Sequence, residues 1–302
     1  MDPVSRRLRQ TARGAAGALF RASSHPVGGG AGLSPRNLLP RDEAAALERA
    51  IRGRVVMVTG ASSGIGEATA RLAGAAGATV LMVARSESEL ARIAGEIGPD
   101  AHPTPCDLTD FEAIDALGDG AIAEYGGVDV LVNNAGRSIR RSVENSTDRF
   151  HDFERTMQLN YFASVRLILR LLPSMRDRER PQIINVSSAG VQTKTPRFSG
   201  YIASKAALEA FSDSLQAELN GELRMTTISM PLVRTPMISP TEHYGAFPSL
   251  SPEQAGRLVT GAMVGRPRRV APPFAHLVDA IDKVSPETMD AVRNRGYKMF
   301  DD

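Results

Sequence analysis

Apolar residues in this chain gather in short unbroken runs, and the stretches between them carry apolar positions at helical spacing. Residues 54–58 and 78–83 are apolar without alternation, the pattern of strands buried on both faces of a parallel sheet. Comparable runs end at 104–108, 129–132, 182–186 and 225–230. Between them, residues 67–76, 109–125, 155–175 and the segment after Tyr201 read as helices. The last carries a stripe at Leu208, Phe211, Leu215 and Leu219. Thr109 is placed to cap the helix that runs to Tyr125. Strand and helix alternate throughout. That order predicts an α/β fold on a doubly wound parallel sheet, in a single domain with a C-terminal helical tail. In such sheets ligands bind beyond the carboxyl ends of the strands.

The pattern begins at Asp42, where a short amphipathic helix runs to Ile51. Residues 1–41 are different. Met1 to Arg21 is rich in Arg and Ala, and His25 to Pro40 is rich in Gly, Pro and Ser. This segment reads as a disordered basic arm and linker ahead of a domain at 42–302. An arm that touches an anionic membrane surface, or an organelle-targeting segment, is the alternative. The chain of 302 residues, 42% hydrophobic and 23% charged, is long enough for one domain with a full core. A net charge of +2 gives no argument for nucleic acid. Cys106 is the single cysteine, which excludes a disulfide framework and a cysteine-based metal site within one chain. It fits a reducing compartment such as the cytoplasm. The histidines are scattered without ligand spacing, so no metal is expected. No apolar run approaches the ~20 residues needed to span a bilayer.

Two stretches carry candidate chemistry. The first strand ends in Thr59-Gly60-Ala61-Ser62-Ser63-Gly64-Ile65-Gly66 and a helix follows. Strand, glycine loop and helix form the context that a phosphate-binding reading requires. Gly60 permits the tight turn, Gly64 lets backbone approach a pyrophosphate, and Gly66 lets helix and strand pack closely. Gly60, Ser62, Ser63, Gly64, Ile65 and Gly66 are therefore cofactor-binding candidates, with the helix N-terminus supplying amide donors. The second strand ends at Ala84-Arg85, where a carboxylate would hold the ribose hydroxyls of NAD. A guanidinium there, without the carboxylate, favours NADP, and NADPH is the expected cofactor. The other stretch is Tyr201-Ile202-Ala203-Ser204-Lys205. Its spacing puts a phenol and an ammonium on one helix face, one turn apart. A cation fixed beside the phenol is expected to lower its pKa and make it a proton donor to a carbonyl, or an acceptor from an alcohol. A surface Tyr-Lys pair without function has the same spacing.

Taken with Asp107, Asn133-Asn134-Ala135-Gly136, Asn160 and Ser188, these motifs resemble the short-chain dehydrogenase/reductase family in its single-domain, Rossmann-fold form, over about residues 52–270. The resemblance implies that Tyr201 is the general acid/base and that Ser188 hydrogen-bonds the substrate carbonyl. It implies that Lys205 binds the nicotinamide ribose and that Asn160 holds a water on a proton path. Asp107 resembles the residue that contacts adenine, and the turn with Asn133, Ala135 and Gly136 the one beside the cofactor. After the sixth strand the family has Pro-Gly followed by a Thr. This chain has Met230-Pro231-Leu232-Val233-Arg234-Thr235, so Val233 and Thr235 are cofactor candidates on an altered backbone path.

Three stretches are similar to a narrower group, the bacterial long-chain fatty acyl-CoA reductases of this superfamily. They are Pro35-Arg36-Asn37-Leu38, residues 136–142 with 148–154, and residues 229–238 with the tail 296–300. This implies reduction of an acyl thioester to a fatty aldehyde. Arg137, Arg140 and Arg141 are placed to meet CoA phosphates, or else form a solvated face paired with Glu144 and Asp148. Cys106 is expected near the adenine end, out of reach of the thioester. The segment 239–250 occupies the place of a substrate lid. Reduction of a 3-ketoacyl thioester, steroid or generic ketone is the alternative activity. A catalytically silent NADP-binding sensor or scaffold is the alternative class. Family resemblance also implies a homo-dimer or homo-tetramer.

Overall fold

The computed structural model describes residues 42–237 and 248–298. Seven strands form one parallel sheet in the order β3-β2-β1-β4-β5-β6-β7. They are β1 (Val55–Thr59), β2 (Thr79–Ala84), β3 (Ala101–Pro105), β4 (Val130–Asn133), β5 (Gln182–Ser188), β6 (Arg224–Met230) and β7 (Arg269–Val270). The order reverses between β1 and β4, which opens a crevice at the carboxyl edge of these two strands. The alternation within β1 divides the core. Val56 and Val58 pack into one hydrophobic cluster, while Val55 and Met57 pack into the other. Both faces are covered, so the strand reads as an unbroken apolar run.

On the first face lie α1 (Glu43–Ile51), α2 (Gly64–Ala75), α3 (Glu87–Ile97) and, later in the chain, the helix Pro252–Gly265. On the second lie α4 (Phe111–Tyr125), the long helical run Phe150–Arg176 after β4, and the helix Ser199–Glu218. Asp42 caps α1, its carboxylate accepting from the Ala45 amide at 3.2 Å. Ser251 opens Pro252–Gly265 with a full capping box to Gln254.

Two local expectations are corrected. Asp110, not Thr109, caps α4: its carboxylate accepts from the amides of Glu112 (2.9 Å) and Ala113 (3.2 Å). Thr109 instead gives both its donors to Asp107. The long helix expected at 155–175 is also broken into three parts. These are α5 (Phe150–Met157), a π-helical turn at Gln158–Phe162 and α6 (Ala163–Arg176). The π turn centres on Asn160, and the extra residue in that turn rotates the asparagine into the interior. Next come a short turn of helix, α7 (Gly190–Thr193), and α8 (Ser199–Glu218), which carries Tyr201. The chain ends with α9 (Pro252–Gly265), α10 (Pro273–Val284) and α11 (Pro286–Lys298). The basic arm, the stretch 35–38, the lid residues His243, Tyr244 and Phe247, and Met299 and Phe300 lie outside the described residues. Among the described residues no helix is long and apolar enough to cross a membrane.

Candidate active site

Thr59, the last residue of β1, fastens the first half of the site. Its hydroxyl donates to the Val132 carbonyl at 3.2 Å and accepts from the amides of Asn134 and Ala135 at 3.0 Å each. The Asn134 amide group donates back to the Thr59 carbonyl at 2.9 Å. The glycine loop and the turn after β4 are thus held edge to edge across the crevice. Gly60 and Gly64 take φ of +68° and +59°, where a side chain would strain the backbone. At Gly66 the reason is contact: a Cβ would stand 2.1 Å from the Gly60 carbonyl oxygen. Ser63 is the N-cap of α2 yet makes no side-chain bond to its first amides, which leaves them open to a ligand. These features fit a bound dinucleotide pyrophosphate.

A cavity of about 890 Å³ runs along the carboxyl ends of the strands. Gly60, Ser62, Ser63, Gly64 and Ile65 line one end, with Arg85 and Asp107. Ala135 and Gly136 line its middle, and Val233 and Thr235 cross over it. Thr235 packs against the glycine loop, its methyl 3.0 Å from where a Gly64 Cβ would be. Val233 is held by a bridge to Leu250, with Leu250 N donating to the Leu232 carbonyl at 2.8 Å. Ser188, Tyr201 and Lys205 share the deep part of the wall. β5 brings both Ser187 and Ser188 to the cavity wall, but the Ser187 hydroxyl donates to the buried carboxylate of Glu209.

Three candidates stand off the wall. Gly66 lies behind it, in the packing of α2 on the loop. Asn133 is 2% exposed, and its amide donates to Asn185 Oδ1 at 2.8 Å. Asn185 in turn donates to Ser212 Oγ at 2.7 Å. This chain of bonds knits β4 to β5 and α8, so the Asn133 side chain is drawn away from the cofactor position. Asn160 is buried behind the turn. Its Oδ1 accepts from Arg137 N at 2.8 Å, and its Nδ2 donates to the Arg137 carbonyl and to Ser204 Oγ, both at 2.9 Å. One side chain thereby ties the turn after β4 to the Tyr201 helix. Nothing in the sequence pattern marks Ser204, Glu209 or Asn185 as partners, because their roles exist only once strands and helices are adjacent.

The electrostatics differ from the expectation for Tyr201. Burial raises its pKa, and only the hydrogen bond with Ser188 pulls the other way. Lys205 is not among the groups that shift it, and its Nζ donates to the Val186 carbonyl at 2.8 Å. Burial lowers Lys205 itself to about 8, opposed by the charge of Glu209. Hydrogen bonds from Thr109 hold Asp107 below the usual carboxylate range, with help from Arg85 and Arg137. Cys106 lines the cavity, and burial pushes its thiol up to about 11, so it is a poor nucleophile. The three arginines after Gly136 part company. Arg137 lines the cavity, whereas Arg141 pairs with Asp152 at 3.5 Å, not with Glu144 or Asp148.

The fold and this geometry agree with what the chain is similar to. The short chain dehydrogenase family model matches residues 54–244, and the chain belongs to that family. An uncharacterized oxidoreductase of Mycobacterium bovis is 52% identical over 274 residues, covering 88% of this chain and 80% of the relative. A fatty acyl-CoA reductase of Acinetobacter baylyi is 51% identical over 254 residues, covering 83% and 86%. The crystal structure of a 3-ketoacyl-(acyl-carrier-protein) reductase from Brucella melitensis, complexed with NADH, superposes with a TM-score of 0.67 at 25% identity. It covers 73% of this chain and 96% of its own. The chain is accordingly an oxidoreductase with a nicotinamide cofactor.

Proposed function

We propose that this protein reduces a long-chain fatty acyl-CoA to the fatty aldehyde with NADPH, using Tyr201, Ser188, Lys205 and Asn160. The observation that carries the proposal is the make-up of one cavity. Its polar group of Ser188, Tyr201 and Lys205 lies between a dinucleotide-type glycine loop and an apolar wall. Phe198, Ile202, Met237, Phe274, Leu277 and Val278 supply that wall, which suits an alkyl chain better than a compact polar ketone. The similarity to the Acinetobacter enzyme supports the same substrate class.

The bound nicotinamide would supply a hydride to the carbonyl carbon. The residues of this chain do the rest. Ser188 and Tyr201 hold the carbonyl oxygen between two hydroxyl donors, where negative charge grows in the transition state. Tyr201 gives that oxygen a proton, a role that its raised pKa suits, since the phenol stays protonated at neutral pH. The resulting hemithioacetal loses its C–S bond, the hydroxyl proton passes to the departing thiolate, and the aldehyde remains. Lys205 holds its ammonium on the same cavity wall, where it would bind the nicotinamide ribose, and Asn160 fixes the turn and the helix relative to each other. Arg85 supports NADPH over NADH by offering a guanidinium at the end of β2. Cys106 takes no part, and Cys106→Ser retains turnover.

NADPH oxidation tests the reading, with palmitoyl-CoA, a 3-ketoacyl-CoA and a fatty aldehyde supplied separately and products identified by mass spectrometry. Aldehyde from palmitoyl-CoA is the expected result. Turnover of the ketone alone would replace the thioester specificity with ketoacyl reduction. Cofactor binding without any turnover would point to a silent binder.

A further inference from the structure

Arg137 is more than a neighbour of the cofactor turn. Its backbone is fixed at both polar atoms by the Asn160 amide, at 2.8 and 2.9 Å. Its guanidinium is therefore delivered to the cavity wall from a rigid base. Arg85 reaches the same cavity from the end of β2. In the strand order β2-β1-β4, these residues follow the strands on either side of β1, so Arg85 and Arg137 approach the cavity from either side of the glycine loop. Among the described residues neither has a carboxylate within ion-pair distance, and no hydrogen bond from either guanidinium is present. Among the described residues the one acid on the cavity wall, Asp107, is occupied by the backbone and hydroxyl of Thr109 at 2.9 and 2.8 Å. Burial, then the positive charges of Arg155 and Arg85, pull Arg137 below the ordinary guanidinium range. Guanidinium stays charged regardless. Two cations without an ion-pair partner on one cavity wall suit a dianionic group.

We propose that Arg85 and Arg137 form a two-armed clamp for a phosphomonoester, the ribose phosphate of an adenine nucleotide, with Arg137 as a specificity-determining residue. A phosphomonoester offers three acceptor oxygens and close to two negative charges, enough for a fork from each side. The clamp builds on the reductase reading, which brings two such groups to the cavity: the 2′-phosphate of NADPH and the 3′-phosphate of CoA.

Direct binding measurements decide it without relying on turnover. Dissociation constants are measured by calorimetry for NADPH against NADH, and for CoA against 3′-dephospho-CoA, on the wild type, Arg137→Gln and Arg137→Lys. If the occupant is the cofactor phosphate, Arg137→Gln weakens NADPH by about tenfold or more and NADH by less than about twofold. If it is the CoA phosphate, the same contrast appears between CoA and its dephospho form while NADPH is unchanged. In either case Arg137→Lys recovers part of the loss, since it keeps the charge and loses the fork. A double variant with Arg85→Ala loses less than the sum of the single losses, because both arms serve one phosphate. Equal weakening of phosphorylated and unphosphorylated partners, or no change in any of the four, overturns the clamp. A failed clamp with aldehyde still formed from palmitoyl-CoA leaves the reductase reading intact. A phosphate contrast without turnover keeps the clamp and removes the reaction.

Discussion

Tyr201 and Lys205 lie one turn apart on α8, yet the structure gives them separate environments. Tyr201 faces Ser188, and Lys205 reaches the Val186 carbonyl. On the proposed mechanism, Tyr201→Phe removes the proton donor and keeps the ring. It should lower kcat by about 10²–10⁴-fold, while the affinity for NADPH stays within about twofold. Paired turnover and binding titrations check this, and retained turnover would remove Tyr201 from the mechanism. Lys205 sets a pH dependence. Its folded value of about 8 lies below its ordinary 10.5. Between these values the unfolded chain keeps a proton that the folded chain has lost, so this group's contribution to stability rises with pH across that window. Activity runs the opposite way, because the useful ammonium is lost as pH passes about 8. The reduction rate should therefore fall on an alkaline limb near that value. Glu209 pushes the lysine upward, so Glu209→Gln should move the limb to lower pH. A limb that does not move would assign it to another group.

At the scale of elements, the site depends on two features that bring backbone segments unusually close. One is the approach of α2 to the glycine loop. A Cβ on Gly66 would stand 2.1 Å from the Gly60 oxygen and 2.7 Å from Asn134 Nδ2. Both contacts are part of the seam that Thr59 and Asn134 close, so neither can yield cheaply. Gly66→Ala should cost on the order of 1–3 kcal/mol of stability and more than about tenfold in cofactor affinity. Chemical denaturation and a NADPH titration read the two effects, and a variant with wild-type values would contradict the close packing. The other feature is the π turn at Gln158–Phe162. It was not legible in the sequence. The apolar spacing of 155–175 is compatible with one continuous helix, and a single extra residue in one turn leaves no compositional mark. By contrast, the glycine loop was legible because each glycine answers a local demand of turn or contact.

At the scale of the whole molecule, α10 closes the apolar end of the cavity, and α11 packs with it. Phe274, Leu277 and Val278 of α10 reach its wall. They are held there by Asp282, which is 4% exposed and forms ion pairs with Lys194 after α7 and Arg293 of α11. Arg293 also donates to the Thr193 carbonyl at 3.1 Å. Arg197 donates to the Tyr297 carbonyl at 3.1 Å, and its guanidinium lies 4.2 Å from the centre of the Tyr297 ring. Asp282→Asn should release α10 and α11 as a unit before the sheet opens. Amide exchange in residues 273–298 should quicken by about tenfold or more while β1 and β4 keep their protection. KM should rise more for palmitoyl-CoA than for a short acyl-CoA. Uniform exchange across the molecule would show that these helices are not a separate unit.

The sequence by itself determined the strand–helix order, the doubly wound sheet and the glycine loop, whereas the grouping of Ser188 with Tyr201 and Lys205 came from the family resemblance. The first three follow from local patterns, because apolar runs, helical spacing and glycine positions are read within a few residues of each other. Tertiary structure decided what depends on neighbours from distant parts of the chain. It turned Asn133 toward Asn185, set a π turn at Asn160, engaged Lys205 with the Val186 carbonyl and raised Tyr201 by burial. It also separated Arg137 from Arg141, placing one on the cavity wall and the other against Asp152. Hydrogen-bond partners and desolvation arise only when the sheet order brings these segments together, and spacing along the chain carries no record of them.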